Sequence, residues 1–349
     1  MAGKVDRVDV QEYYGKVLKT KDDLKTSACC STESMPPHIR EIMGQLDNEI
    51  LSKFYGCGSP IPPALEGCTV LDLGCGTGRD VFVISKLVGE TGRVIGVDMT
   101  DEQLEVAHRH RDSMTVNFGF SKSNVEFKKG YIEELDTLGI TDESIDVVVS
   151  NCVVNLSFDK PKLMQEIFRV LKPGGELYFS DVFTSRRIPA ALKDDPVLIG
   201  ECIAGAFYIE DFRRAMAHVG CPDPRIVSTR EIEVTDPEVK RKIGLTRLYS
   251  QTVRAFKLAS LEDRCEDYGQ HATYLGTIPE EPHCFTLDDH HCLETGRAML
   301  VCGNTAAMLG ETRFVKHFKV EGDRSVHFGL FDCAPAVNDQ GECAGGGCC

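Results

Sequence analysis

Apolar positions along the chain fall into two interleaved patterns. Compact runs such as Val70-Leu71-Asp72-Leu73, Val94-Ile95-Gly96-Val97 and Val147-Val148-Val149 read as strands buried on both faces. Between them, apolar residues recur at helical spacing over 81–87, 102–115 and 160–170, the last ended by Lys172-Pro173-Gly174-Gly175. Further strands are predicted at 124–130, 145–151 and 176–181. Strands alternating with helices predict βαβ units and a mostly parallel, doubly wound α/β sheet.

The pattern is different on either side of this stretch. Upstream, Val10, Tyr13, Val17 and Leu18 can share one helical stripe, with Tyr14 at its edge, and Pro36-Pro37 opens a helix that resumes at 48–52. These segments are expected to fold over the site as a lid. Downstream, 189–206 predicts a helix broken near Pro196, 209–218 another helix, and 225–227 and 249–258 the remaining strands of the sheet. From about residue 260 a small α+β piece is expected, with strands at 269–275 and 297–302. The resulting division is 1–64, 65–185, 186–260, 261–335 and a Cys/Gly tail at 336–349, which lacks the apolar residues needed to order itself.

Charge and cysteine content narrow the chemistry. The net charge of -15 argues against a nucleic-acid partner, because phosphate binding needs clustered Lys and Arg. No run reaches transmembrane length and the first residues do not read as a signal peptide, so no membrane partner and a cytoplasmic location are expected. In a reducing compartment the 16 cysteines should be mostly thiols. Core packing accounts for some, such as Cys68 and Cys221, and Cys75 is expected to pack behind the glycine turn. Those in turns beside Gly, Asn and Glu point instead to metal, metalloid or redox chemistry.

The turn after the first strand, Asp72-Leu73-Gly74-Cys75-Gly76-Thr77-Gly78, lets a ligand approach the backbone at the carboxyl end of the sheet. Its glycine spacing is shorter than the dinucleotide fingerprint. Asp98 ends the second strand, where a carboxylate can take two ribose hydroxyls. The Asp-x-Gly-x-Gly-x-Gly turn with this acid resembles the S-adenosylmethionine-dependent methyltransferases. That resemblance covers roughly 65–185 and implies a Rossmann-like class I methyltransferase fold.

Three cysteines stand where a methyl acceptor should approach. Cys57 precedes the first strand, Cys152 follows the fourth, and Cys202 lies in the inserted region expected to cover the crevice. Separated thiols converging on one place suit a soft, three-coordinate centre such as arsenite. The stretches Tyr13-Tyr14-Gly15, Thr26-Ser27-Ala28-Cys29, Tyr55-Gly56-Cys57-Gly58, Asn151-Cys152-Val153-Val154-Asn155, Gly200-Glu201-Cys202, Thr295-Gly296-Arg297 and Val301-Cys302-Gly303-Asn304 closely resemble the arsenite S-adenosylmethionine methyltransferases. This second resemblance runs to about residue 320.

The resemblance implies an arsenic-binding pair, Cys152 and Cys202, with Cys57 as third sulfur. Cys29, with Cys30 beside it in equal reach, matches a thiol that pairs with Cys57 in a disulfide during the cycle. It implies cofactor contacts from Tyr55, Asp72, Gly74, Gly76, Asp98, Met99, Ile132, Glu133 and Asn151. Ile132 would pack on adenine, and the Glu133 region would read its amino edge. The implied activity converts arsenite to methyl- and dimethylarsenicals in arsenic detoxification, with glutathione or thioredoxin as reductant and a monomer as the working form. Two rivals stay open: a methyltransferase of a small organic acceptor such as a quinone or sterol, and a thiol-based metalloid-binding protein. His283-Cys284 with His290-His291-Cys292 has ligand-type residues but no familiar zinc spacing, and Cys343, Cys348 and Cys349 are read as a tail without function.

Overall fold

The computed structural model describes residues 35–53, 56, 58–193, 195, 198–199 and 202–333. Its centre is an eight-stranded sheet in the order β3-β2-β1-β4-β5-β8-β7, with β6 paired to β5. The strands are β1 Thr69–Leu73, β2 Arg93–Asp98, β3 Val125–Lys129, β4 Ile145–Asn151, β5 Leu171–Thr184, β6 Phe207–Tyr208, β7 Arg225–Ile232 and β8 Leu248–Phe256. All pairings from β3 to β6 are parallel, whereas β8 runs antiparallel to both β5 and β7. Strand order reverses at β1, between β2 and β4. A ligand crevice opens at the carboxyl ends of the strands at such a point.

Helices clothe both faces of the sheet. They are α1 Pro37–Met43, α2 Asn48–Ser52, α3 Arg79–Val88, α4 Asp101–Asn117, α5 Lys160–Val170, α6 Ile209–His218 and α7 Pro237–Ile243. One layer packs Val81, Phe82 and Ile84 of α3 with Ile39, Ile42 and Ile50 from the segment before β1. The other packs Leu163, Ile167 and Phe168 of α5 with Phe212 and Met216 of α6. Asp47 caps α2 through Glu49 N–H, and the last turn of α2 lies over the glycine turn, where Thr77 Oγ1 donates to Ile50 O at 3.0 Å.

Of the helix expected over 189–206, the described residues keep α-helical form only at Leu198 and Ile199, where Ile199 N–H donates to Asp195 O at 2.9 Å. Ala190–Leu192 is a single 3-10 turn, and 202–206 is irregular. Pro189 and Pro196 interrupt the pattern, and Cys202 stands at φ 57°, which no right-handed helix accommodates. Residues 1–34, which carry the first predicted helix, and the tail from 334 onward lie outside the described residues.

Beyond β8 the chain builds a small unit from short antiparallel strands: β9 Glu266–Asp267, β10 His271–Tyr274, the hairpin β11 Cys284–Thr286 and β12 Cys292–Glu294, β13 Ala298–Leu300, β14 Phe318–Glu321 and β15 Gly329–Leu330, with the helix α8 Gly303–Gly310. It docks on the sheet through buried ion pairs. Glu176 of β5 is clamped by Arg254 of β8 at 2.7 Å and by Arg313 at 2.6 Å, and Arg313 also donates to Pro63 O. Arg254 lies 5.3 Å from the Tyr178 ring centre and 5.5 Å from that of Phe314. Arg225 of β7 meets Asp223 at 2.6 Å and Asp288 at 2.8 Å. Cys302 caps α8, accepting from Thr305 N–H, with Arg225 Nη2 3.8 Å from its sulfur. A hydrogen bond from Cys265 outweighs burial there and, with Arg225, brings the Cys302 thiol down to about 5.

Candidate active site

The glycine turn is closed by its own backbone. Gly74 N–H and Cys75 N–H both donate to Val97 O, at 2.8 and 3.0 Å. Gly74 has φ 75°, and a Cβ there would lie 2.3 Å from Val153, so glycine is what lets the segment after β4 rest on the turn. Gly76 N–H donates to one oxygen of Asp98 at 2.9 Å, and Thr100 N–H donates to the other at 2.9 Å. These bonds aim the half-buried Asp98 carboxylate at the mouth of the turn. Cys75 is buried behind the turn, as expected, and burial raises its thiol well above the ordinary range.

Negative charge accumulates here. Asp72 is buried, and burial followed by the nearby Asp80 and Asp98 raises its carboxyl well above the ordinary range. The opposing cation is Arg79, which is 2.7 Å from Asp80. Asn151 Nδ2 bridges Asp80 at 3.1 Å and Gly58 O at 3.1 Å. Three carboxylates facing one guanidinium suit a cationic ligand. Further along the rim, Ile132 is buried, Met99 half-buried, and the buried Glu133 accepts from Ser157 Oγ at 2.7 Å.

Two of the predicted thiol positions meet beside this turn. Cys152 leaves β4 with its N–H on Ser180 O at 2.8 Å, and the Cys202 thiol, 50 residues on, donates to Cys152 O at 3.4 Å. Both are buried and both stand at φ 57°, a left-handed conformation that costs a non-glycine residue about 1–3 kcal/mol. Ile203 and Ala204 N–H groups hold the Cys202 turn through Leu198 O. Gly205 then passes so close to Asn155 that a Cβ would be 2.0 Å from its carbonyl oxygen. Cys152 is disulfide-bonded, whereas Cys202 is a thiol. Cys29, Tyr55 and Cys57 lie outside the described residues, but Gly58, next to Cys57, is the residue whose carbonyl Asn151 holds.

Sequence reasoning missed four contributors. Asp80 reads as an ordinary first-turn acid of α3, and Asp181 as the last residue of a strand. Asp181 instead anchors Asn155, through N–H at 3.0 Å and Nδ2 at 2.7 Å, and burial pushes its carboxyl up to about 7. Lys160, the first residue of α5, turns inward to Asn155 O at 3.2 Å and Ser157 O at 3.3 Å. Burial lowers its ammonium to about 8, with Asp181, Cys202 and Glu133 within electrostatic reach. Gly205 is the fourth, and its only signal was the small-residue run Ala204-Gly205-Ala206.

The sheet order, the glycine turn and a match of residues 64–220 to a methyltransferase domain family define a Rossmann-like class I methyltransferase. Residues 268–349 match the arsenite methyltransferase C-terminal domain. The arsenite methyltransferase of Aquipseudomonas alcaligenes is 53% identical over 323 residues, covering 93% of this chain and 93% of that one. The human arsenite methyltransferase is 43% identical, covering 89% and 83%. The crystal structure of an arsenic(III) S-adenosylmethionine methyltransferase from Chlamydomonas reinhardtii superposes with a TM-score of 0.84 at 50% identity, covering 86% of this chain and 100% of that one. The chain belongs to the arsenite methyltransferase family.

Proposed function

We propose that the chain, once a thiol reductant such as glutathione has reopened the Cys152 disulfide, transfers a methyl group from S-adenosylmethionine to trivalent arsenic held by the thiolates of Cys152, Cys202 and Cys57. The products would be methyl- and dimethylarsenicals. The reading is carried by the contact between Cys202 and Cys152 beside the glycine turn, two buried cysteines in strained conformations that packing alone does not call for. The names of the relatives agree with it.

S-adenosylmethionine supplies the methyl on a cationic sulfonium, which the carboxylate-rich turn fits. Asp98 takes the ribose hydroxyls, Gly74 and Gly76 keep the turn open to the main chain, and Asp72 and Asn151 line its end. Tyr55, Met99, Ile132 and Glu133 complete the cofactor wall, with Ile132 on adenine. Lys160 favours the Cys202 thiolate while it is protonated. The arsenic lone pair is the nucleophile, so no side chain has to remove a proton. What the protein contributes is alignment. Methylation formally takes two electrons from arsenic. Cys29 and Cys57 return them by closing a disulfide, which glutathione or thioredoxin reopens by exchange. Detoxification by a monomer in the reducing cytoplasm fits this thiol use.

The test combines purified protein, labelled S-adenosylmethionine, arsenite and glutathione, followed by separation of arsenic species. Methylated arsenic from the wild type, and none from Cys152→Ser or Cys202→Ser with cofactor binding retained, is the expected result. Serine keeps a Cβ at φ 57°, so backbone strain is unchanged. A wild type that binds cofactor yet methylates no arsenic overturns the reading in favour of an organic acceptor.

A further inference from the structure

The hairpin β11–β12 carries two cysteines that the proposed reaction does not use. Its register sets Cys284 opposite Glu294, Phe285 opposite Leu293 and Thr286 opposite Cys292. Phe285 and Leu293 are fully buried and face the small unit's core, which turns Cys284, Thr286, Cys292 and Glu294 to solvent together. The two thiols are in hydrogen-bond contact across the diagonal of this exposed face, and both are free.

We propose that Cys284 and Cys292 form a second arsenic site, a surface dithiol that chelates monomethylated trivalent arsenic. The choice of that class rests on the methyltransferase reading above. The geometry favours it over the alternatives in three ways. First, trivalent arsenic forms three bonds. A methyl group occupies one, leaving two for the two sulfurs this face presents, where Thr286 and Glu294 offer no third. Second, a zinc ion takes four ligands, and this face presents only two sulfurs. Methylarsonous acid takes the thiols as they are: two As–O bonds break, two As–S bonds form, the thiol protons leave with the hydroxides as two waters, and arsenic stays trivalent. Third, diagonal neighbours in an antiparallel pair are about 7–8 Å apart at Cα, beyond the roughly 4.4–6.8 Å of an unstrained disulfide. An arsenic atom inserted between the sulfurs spans that gap. The nearby imidazoles are engaged, His290 with Asp289 at 2.5 Å and His291 with Asp288 at 2.7 Å.

The test uses full-length protein, reduced and then freed of reductant, in the Cys152→Ser/Cys202→Ser background so that no turnover intervenes. Methylarsonous acid is the probe. Digestion at acidic residues cuts between the two cysteines, and mass spectrometry should find their peptides joined through a methylarsenic bridge. Adding Cys284→Ser or Cys292→Ser should remove one bound equivalent and weaken that site by about 100-fold, since one sulfur replaces two. Separately, Cys284→Ser in the otherwise intact enzyme should leave the first methylation of arsenite unchanged. Unaltered stoichiometry with no bridged peptide overturns the proposal, as does zinc displacing the probe at equal concentration, or a Cys284–Cys292 disulfide in place of the adduct. Failure of the methyltransferase reading would show instead as absent turnover in the intact enzyme, with hairpin binding unaffected.

Discussion

Two buried polar centres lie on opposite sides of β5, and they are built on opposite plans. In the junction under the small unit, three carboxylates meet three guanidiniums: Glu176 lies between Arg254 and Arg313, and Arg225 between Asp223 and Asp288 with Cys302 beside it. In the crevice, Asp72, Asp80 and Asp98 face a single Arg79, and the cysteine pair sits on strained backbone. A balanced cluster has nothing left to bind and serves the fold. An unbalanced one is incomplete until a ligand arrives, and it lowers the stability of the empty protein. Burial alone therefore does not separate structure from function here, whereas the balance of charge and strain does.

The sharpest way to break this contrast is Glu176→Gln. It leaves two buried guanidiniums facing a neutral amide and should destabilise folding by about 3–5 kcal/mol. Urea unfolding would read that loss, and cofactor affinity at a permissive temperature should stay within about twofold. An equal loss of cofactor binding would mean the two centres are coupled. Asp98→Asn should do the reverse. It removes a carboxylate acceptor worth about 1.5–3 kcal/mol to bound hydroxyls, so S-adenosylmethionine should bind about 10- to 100-fold more weakly by calorimetry. The midpoint of urea unfolding should fall far less than for Glu176→Gln, since asparagine gives up one of the two backbone bonds that Asp98 accepts.

The smallest effect is a response to pH of opposite sign in the two centres. Asp181 has its folded value raised to about 7, so between the ordinary aspartate value and 7 the folded state holds the extra proton. Acidification across that window stabilises the crevice. In the junction Cys302 is lowered to about 5, and Asp288, where His291 and Arg225 outweigh burial, is held well below the ordinary range. There the unfolded chain takes protons first, so stability drains away as pH falls from the usual thiol range toward 5. Between about pH 7.5 and 5.5, hydrogen exchange corrected for intrinsic rate should slow a few-fold around Asn155 and quicken a few-fold around Thr305. Changes of the same sign in both would refute the opposition.

Much of the sheet was legible because β1, β2 and β4 are runs of apolar residues between helices of regular period, and the glycine turn punctuates the first of them. Asp98 and Cys152 were legible for the same reason: each ends a recognisable strand. What local pattern could not supply was closure. Lys160 opens a helix and would ordinarily point to water; it turns inward only because Gly205 lets a distant segment bring its chain against Asn155. The same closure bends Cys202 out of the helix expected over 189–206. The hairpin β11–β12 was missed because three-residue strands are too short to show alternation, and its thiols were seen as residue types without a partner. Nothing in the local pattern marks the arginines of the junction as buried; their partner Glu176 comes from a distant strand.

Arg313 has one further consequence. A single guanidinium reaches Glu176 in the sheet and Pro63 ahead of the first strand, although it belongs to the last third of the chain. The small unit is therefore not detachable cargo. A fragment ending after β8 would strip the shared carboxylate of one of its two cations and bare the ring-lined pocket around Arg254, so the segment leading into β1, the sheet and the small unit should melt in one cooperative step.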